Sequence, residues 1–254
     1  MVLCAETRGA GPALVLLHGW GMNAAVWQPL LPLLTQRWRV TTIELPGHGE
    51  SEPLPPQSDI NDWARACLQA APARAVWAGW SLGAQLALQA SLLQPQRVRA
   101  LAMVTGTPCF VKREEWPCGM EETDLRGFAE ALVSEPLQTL MRFLGLQVRG
   151  AVQQREILRQ LRKSLPLRPA AATQALHTGL GLLLNSDQRV QLDGLAVPSA
   201  WIFGEKDRLV SAATAASVST LLPAATVRVI AGAGHAPFLS HPRECIEVLE
   251  TLHD

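Results

Sequence analysis

The stretch Ala75-Val76-Trp77-Ala78-Gly79-Trp80-Ser81-Leu82-Gly83-Ala84, AVWAGWSLGA, runs an apolar segment straight into a serine framed by two glycines. Residues 74–78 read as a buried strand and residues 82–93, LGAQLALQASLL, as a helix rich in strong helix formers. A serine on the sharp turn between them is held in a strained backbone conformation that lifts its hydroxyl above the sheet, while the glycines let the helix approach the strand. The G-x-S-x-G pattern alone also fits an ordinary strand-to-helix turn, so the choice falls to the rest of the chain.

Working outward, short apolar runs alternate with longer helical patterns, the signature of βαβ units around a parallel sheet. Residues 13–17, 40–45 and 98–104 read as further strands, and residues 199–204 and 226–232 resume the pattern before a closing helix, HPRECIEVLETL. Residues 111–190 carry helical patterns and turn signals but no convincing strand, and Pro117, Pro136, Pro166 and Pro169 divide them into short helices. The expectation is an α/β fold: a mostly parallel central sheet flanked by helices, formed by residues 1–110 and 191–254, with a helical cap inserted at 111–190. No repeat or low-complexity tract interrupts it.

A chain of 254 residues, 48% hydrophobic and 17% charged, can bury one large core. Its 22 basic residues balance 22 acidic ones, so no overall field draws it to nucleic acid or an anionic membrane. The five cysteines, Cys4, Cys67, Cys109, Cys118 and Cys245, are odd in number and form no C-x-x-C pair, which argues against a disulfide framework or a zinc site and fits a reducing cytoplasm. The start, MVLCAETRGAGP, lacks the basic-then-apolar pattern of an export signal, and no window approaches the roughly 18 apolar residues of a membrane span. A soluble, cytoplasmic monomer is expected.

A serine hydroxyl is a weak nucleophile unless a neighbouring base takes its proton, and that base needs an orienting carboxylate. Asp207, in GEKDRLV, and His235, in AGAGHAPF, each lie just past a later strand, at the sheet edge where open α/β folds build their sites. Glu205, Asp187 and Asp193 compete for the acid's role, but Asp207 has the better position. His48 reads as a loop residue, and His177, His241 and His253 as solvated residues on helices or their starts. His18 begins HGWG after the first of these strands, where such an architecture forms half of an oxyanion hole. The two donors would be the backbone N–H groups of Trp20 and Leu82, with His18 bracing the loop rather than titrating. The Trp20 side chain suits either the core or a pocket wall.

At this point the chain resembles the α/β-hydrolase superfamily. LLHGWGMNAAVW, GWSLGAQLALQ, GTPCFVKREEWP, MRFLGLQ and AGAGHAPFLSHP together look like the BioH family, the pimeloyl-[acyl-carrier protein] methyl ester esterases of biotin synthesis. The resemblance implies a serine carboxylesterase without metal or cofactor, with Ser81 as nucleophile, His235 as base and Asp207 as acid. It also implies substrate contacts at Trp20, Ser81, Leu82, Phe143, Leu144, Gly145, Leu146, Gln147 and His235, and an acyl-carrier protein as partner. Three positions depart from the common pattern: Glu44 replaces an aspartate, Ala84 a glycine, and Cys118 the glycine of EWPG.

Between Arg142 and Arg168 seven basic residues (Arg142, Arg149, Arg155, Arg159, Arg162, Lys163 and Arg168) face a single acid, Glu156. Arg155, Arg159 and Arg162 share one helical face while Ile157, Leu158, Leu161 and Leu165 fall on another. The plain reading is a solvated face. Because acyl-carrier proteins are acidic, the resemblance makes Arg142, Arg155 and Arg159 the expected docking residues. Two other readings stay open: a broad short-chain esterase or other small-molecule hydrolase of the same fold, and a non-catalytic ligand-binding member.

Overall fold

Among residues 2–252, those described by the computed structural model, seven strands form one sheet: β1 (Ala5–Arg8), β2 (Ala13–Leu17), β3 (Arg39–Ile43), β4 (Ala75–Trp80), β5 (Val98–Val104), β6 (Ser199–Gly204) and β7 (Thr226–Ile230). His253 lies outside the described residues. The helices are α1 (Leu31–Leu34), α2 (Ile60–Ala70), α3 (Leu82–Leu93), α4 (Glu122–Ser134), α5 (Pro136–Val148), α6 (Gln154–Ser164), α7 (Thr173–Asn185), α8 (Thr214–Leu221), α9 (Pro237–Ser240) and α10 (Pro242–Glu250). The spatial order of the strands is β1-β3-β2-β4-β5-β6-β7. β2 to β7 run parallel, and the central strands β2, β4, β5 and β6 are almost wholly buried, as expected of parallel strands covered on both faces, while β7 at the edge is largely exposed.

Successive side chains along a strand point to opposite faces, and here both faces are buried. Val15, Leu17, Trp77, Leu101, Met103 and Trp201 pack on one side with α2 and α3. Leu14, Leu16, Val76, Ala102, Ala200 and Ile202 pack on the other with α10. β1 was not anticipated: its sequence, AETR, is short, polar and mostly exposed. It is held antiparallel to the edge of β3 from Ala5 opposite Ile43 to Arg8 opposite Val40, by backbone bonds that leave no apolar signature. β4 extends two residues beyond expectation because Gly79 and Trp80 still pair with Met103 and Val104 of β5.

Between β5 and β6 the chain forms α4 to α7, joined by turns and by isolated bridges such as Val111 with Met120. Pro136 starts α5, where its missing N–H would have no helical partner. α6 is amphipathic as expected: Ile157 and Leu161 are buried, and Arg155, Arg159 and Arg162 are exposed.

The strand order positions the site. From β2 the chain steps outward to β3, then returns to place β4 on the opposite side of β2. The loops leaving β2 and β4 therefore diverge, and their carboxyl ends open the crevice in which such sheets bind ligands. The Ala84 departure is matched across this edge. Ala84 sits against Gly106, where an added Cβ would stand 2.4 Å from the Ala84 Cβ and 2.9 Å from Met103 Cε. Gly106→Ala is expected to destabilise the protein by about 1–3 kcal/mol through overpacking. Adding Ala84→Gly should raise the melting temperature, followed by circular dichroism, above that of the single variant.

Candidate active site

Ser81 has φ 56° and ψ −116°, a left-handed backbone that side chains rarely adopt. Two close approaches enforce it. A Cβ on Gly79 would stand 2.1 Å from the Gly83 carbonyl oxygen, and one on Gly83 would stand 2.5 Å from the carbonyl oxygens of Leu17 and His18. The glycines thus seat the first turn of α3 on the ends of β4 and β2. The Ser81 N–H donates to Val104 O (3.0 Å), while Ser81 O accepts from Ala84 and Gln85.

His235 follows β7. Its Nδ1 lies 2.7 Å from Asp207 Oδ2, and both side chains are fully buried. Asp207 Oδ1 accepts from the N–H groups of Leu209 (2.8 Å) and Val210 (3.1 Å), which aims the second oxygen at the imidazole. A carboxylate only accepts, so Nδ1 carries the proton and Nε2 presents its lone pair. Ser81 Oγ and His235 Nε2 are buried and neither has a hydrogen-bond partner. The arrangement supplies an unencumbered hydroxyl, a base with its tautomer set, and an acid that orients the base. The rival carboxylates are occupied elsewhere: Glu205 accepts from the Gly232 N–H (2.8 Å), Asp187 pairs with Arg189, and Asp193 lies on the turn Arg189–Gly194.

Three contacts that hold His235 escaped the sequence reading, which named Gln147 only as an expected substrate contact. Trp80 Nε1 and Thr105 Oγ1 each donate to His235 O at 2.7 Å, and the His235 N–H donates to Gln147 O at 2.9 Å. Thr105 is itself left-handed, φ 43°. Its place directly after β5, next to Gly106, was the available signal.

The loop after β2 abuts Ser81, since a Cβ on Gly19 would stand 3.4 Å from Ser81 Cβ. His18 determines how that loop faces. Its Nε2 accepts from the Leu45 N–H (3.0 Å), so the ring proton resides on Nδ1, which donates to Gly19 O at 2.9 Å. In a trans peptide the C=O of Gly19 and the N–H of Trp20 point in opposite directions. Tying one to His18 therefore turns the Trp20 N–H away from the imidazole. The Leu82 N–H, at the first position of α3, has no intrahelical acceptor.

The helical segment contributes unevenly. Phe143 and Gln147, one turn apart on α5, are buried, and Phe143 meets the Trp20 ring edge-on at 4.8 Å. Leu144 instead packs with the core on the other face of the sheet, Gly145 has nothing within 4 Å of an added Cβ, and Leu146 borders a surface cleft beside Arg149 and Arg208. Leu140 and Leu176, not singled out from sequence, line a cavity of about 650 Å³ that reaches the loop at Gly21. Its walls are largely apolar, with Arg162 and Arg168 as its charged members; Ser81 itself does not line it. Arg142, exposed, lies over the Phe128 ring at 5.8 Å, Arg155 is exposed, and Arg159 pairs with Glu156 at 2.7 Å. Arg168 is not part of that outer face: it pairs with Glu6, Glu44 and Glu50.

Among the described residues no group of three or more His, Cys, Asp or Glu side chains is placed to hold a metal ion, and all five cysteines are free thiols. No helix there is long and apolar enough to cross a membrane.

Residues 12–242 match the alpha/beta hydrolase fold family. A pimeloyl-[acyl-carrier protein] methyl ester esterase of Xylella fastidiosa is 42% identical over 247 residues, covering 96% of each chain. One of the same name from Xanthomonas campestris is 44% identical over 244 residues, again covering 96% of each chain. Among solved structures, an esterase from Exiguobacterium antarcticum superposes with a TM-score of 0.85 at 19% identity, over 99% of this chain and 96% of that one, a likeness of fold.

His48 lies on a loop as expected, yet it is fully buried, with its ring 5.2 Å from His18 and 6.1 Å from Trp63. Burial pushes its imidazole from 6.5 down to about 3. Between those values the unfolded chain binds the proton and the folded chain does not. The stability contributed by neutral His48 is therefore complete above pH 6.5 and is lost as pH falls toward 3. The loss should reach about 1.4 kcal/mol per pH unit. His48→Phe, which keeps a ring and drops the proton, should flatten that limb in urea unfolding measured across this range.

Proposed function

Since the chain belongs to the alpha/beta hydrolase family, and within it to the pimeloyl-[acyl-carrier protein] methyl ester esterases, we propose that it hydrolyses the methyl ester of a pimeloyl chain carried on acyl-carrier protein. The products are methanol and the free pimeloyl-[acyl-carrier protein] used in biotin synthesis. This reading is carried by the buried Asp207–His235 pair, 2.7 Å apart, at the same sheet edge as the strained Ser81.

His235 Nε2 takes the Ser81 proton as Oγ attacks the ester carbonyl, and Asp207 stabilises the resulting imidazolium. The oxyanion is received by the N–H groups of Trp20 and Leu82; each such donor is worth about 10²–10³ in rate. The tetrahedral intermediate collapses as His235 returns the proton to the methoxy oxygen, releasing methanol. His235 then deprotonates water, which attacks the acyl-enzyme and regenerates Ser81. This chemistry requires no metal or cofactor.

Residues 111–190 serve as a cap over the core of residues 1–110 and 191–254. The apolar cavity between cap and loop accepts the acyl chain, with Phe143 and Gln147 closest to the chemistry and Leu144, Gly145 and Leu146 supporting them. An apolar passage favours the neutral ester over its carboxylate product, which loses hydration there. The acidic carrier docks on Arg142, Arg155 and Arg159, whose charges lie on the outer surface of the cap. The enzyme acts as a cytoplasmic monomer, with no nucleic acid or membrane partner.

Ser81→Ala should lower kcat on both carrier-bound methyl pimelate and a p-nitrophenyl ester by more than about 10⁴-fold, with an unchanged circular dichroism spectrum; retained turnover would remove Ser81 from the mechanism. Arg155→Glu combined with Arg159→Glu should raise KM for the carrier-bound substrate about tenfold or more and leave the small ester untouched. An equal loss on both substrates would assign these arginines to the fold.

A further inference from the structure

The cap segment from Ser164 to Leu176 grips the oxyanion loop and its surroundings at several points. Trp20 Nε1 donates to Leu176 O (2.8 Å), Asn23 Nδ2 to Leu165 O (3.0 Å), and the Ala172 N–H to Gly47 O (2.8 Å). The charged member of this set is Arg168, on the rim of the cavity, whose Nε lies 3.6 Å from Glu44 Oε1.

Glu44 is only 2% exposed. Its Oε1 has no hydrogen bond and faces the Arg168 charge, while Oε2 accepts from the Ala24 N–H at 3.0 Å and lies 3.4 Å from His18 Nε2. Ala24 opens the 3-10 turn that ends the HGWGMN loop. The residue after Glu44, Leu45, donates the N–H that sets the His18 tautomer. The extra methylene by which Glu44 exceeds an aspartate helps one carboxylate to span the Ala24 turn and the cap arginine. Removing the partner of a buried carboxylate leaves an uncompensated charge, which the structure relieves only by moving.

We propose that Arg168 is a positioning residue for ester hydrolysis: from the cap it holds Glu44, and through Glu44 the Ala24 turn and the His18 loop, so that the Trp20 N–H meets the developing oxyanion. Seating of the cap and completion of the oxyanion hole are then one event. Arg168 is poorly placed to read a substrate anion, because Glu6, Glu44 and Glu50 already surround its guanidinium. Arg162, on the same rim, has no such partners. The inference rests on the proposed roles of Ser81 and Trp20 but not on the identity of the acyl carrier.

The test is steady-state kinetics on a short p-nitrophenyl ester, which does not extend to the rim. Arg168→Met should lower kcat by about tenfold, since small misplacement of a catalytic group carries losses of this order, with KM within about twofold, as fits a group that acts on the transition state. Arg168→Lys should recover most of the loss. Glu44→Leu with Arg168→Met leaves no unpaired buried charge, and it carries the test should the single variant fail to fold. Its kcat should be similarly reduced. A parent-like kcat for the folded variants, whatever their melting temperatures, would overturn the proposal, as would an effect confined to KM for the carrier-bound ester. If the parent cleaves the short ester but not carrier-bound methyl pimelate, the carrier assignment fails and this proposal stands on its own result.

Discussion

The left-handed backbone at Ser81 is the constraint around which the site is organised. A non-glycine residue in such a region is unfavourable by about 1–3 kcal/mol and persists only where its surroundings over-determine it. Here they do. Gly79 and Gly83 allow backbone contacts that a Cβ would forbid, Val104 holds the Ser81 N–H, and the next residue of the helix, Ala84, is received by Gly106. Thr105, just past the neighbouring strand β5, is strained in the same sense and donates to His235 O. Both strained residues stand at the carboxyl edge of the sheet, whose parallel strands, buried on both faces, supply the rigidity that holds them.

From that edge the site is assembled by bonds that fix direction more than they add stability. Asp207 is aimed by two backbone N–H groups, His235 by Asp207, and the His235 backbone by Trp80, Thr105 and Gln147. His18, which accepts the Leu45 N–H at Nε2 and bonds Gly19 O through Nδ1, turns the Gly19–Trp20 peptide. Gln147 and Leu176 belong to the helical segment between β5 and β6, so that segment helps to fix His235 and the loop at Trp20 and does not merely cover them.

Charge is distributed by position and not by total. The chain is neutral overall, yet α6 presents Arg155, Arg159 and Arg162 outward while Glu6, Glu44 and Glu50 converge on Arg168. Counting basic residues along the chain put Arg168 in the same basic excess as the α6 arginines without giving it a partner. Its real partners come from β1 and from the loop after β3, remote in sequence, and charge counts carry no information about such pairings.

Period and order along the chain were enough to determine the fold class, the parallel strands, the helical run between β5 and β6, the elbow serine, and Asp207 with His235 past later strands. These are local properties: apolar runs, glycine spacing and strand ends are written in consecutive residues. The polar edge strand β1 left no such trace, because backbone pairing with β3 and polar side-chain contacts hold it, and neither writes an apolar pattern. Only the tertiary structure decided that Trp80, Thr105 and Gln147 hold the histidine, that Phe143 and Gln147 of MRFLGLQ are fully buried while Gly145 and Leu146 are only partly so, and that Glu44 lies between the Ala24 turn and Arg168. Those contacts join residues up to 155 positions apart, as with Trp80 and His235. They depend on how α5 and the rest of the segment between β5 and β6 are rotated and seated, which packing sets and a linear pattern does not encode.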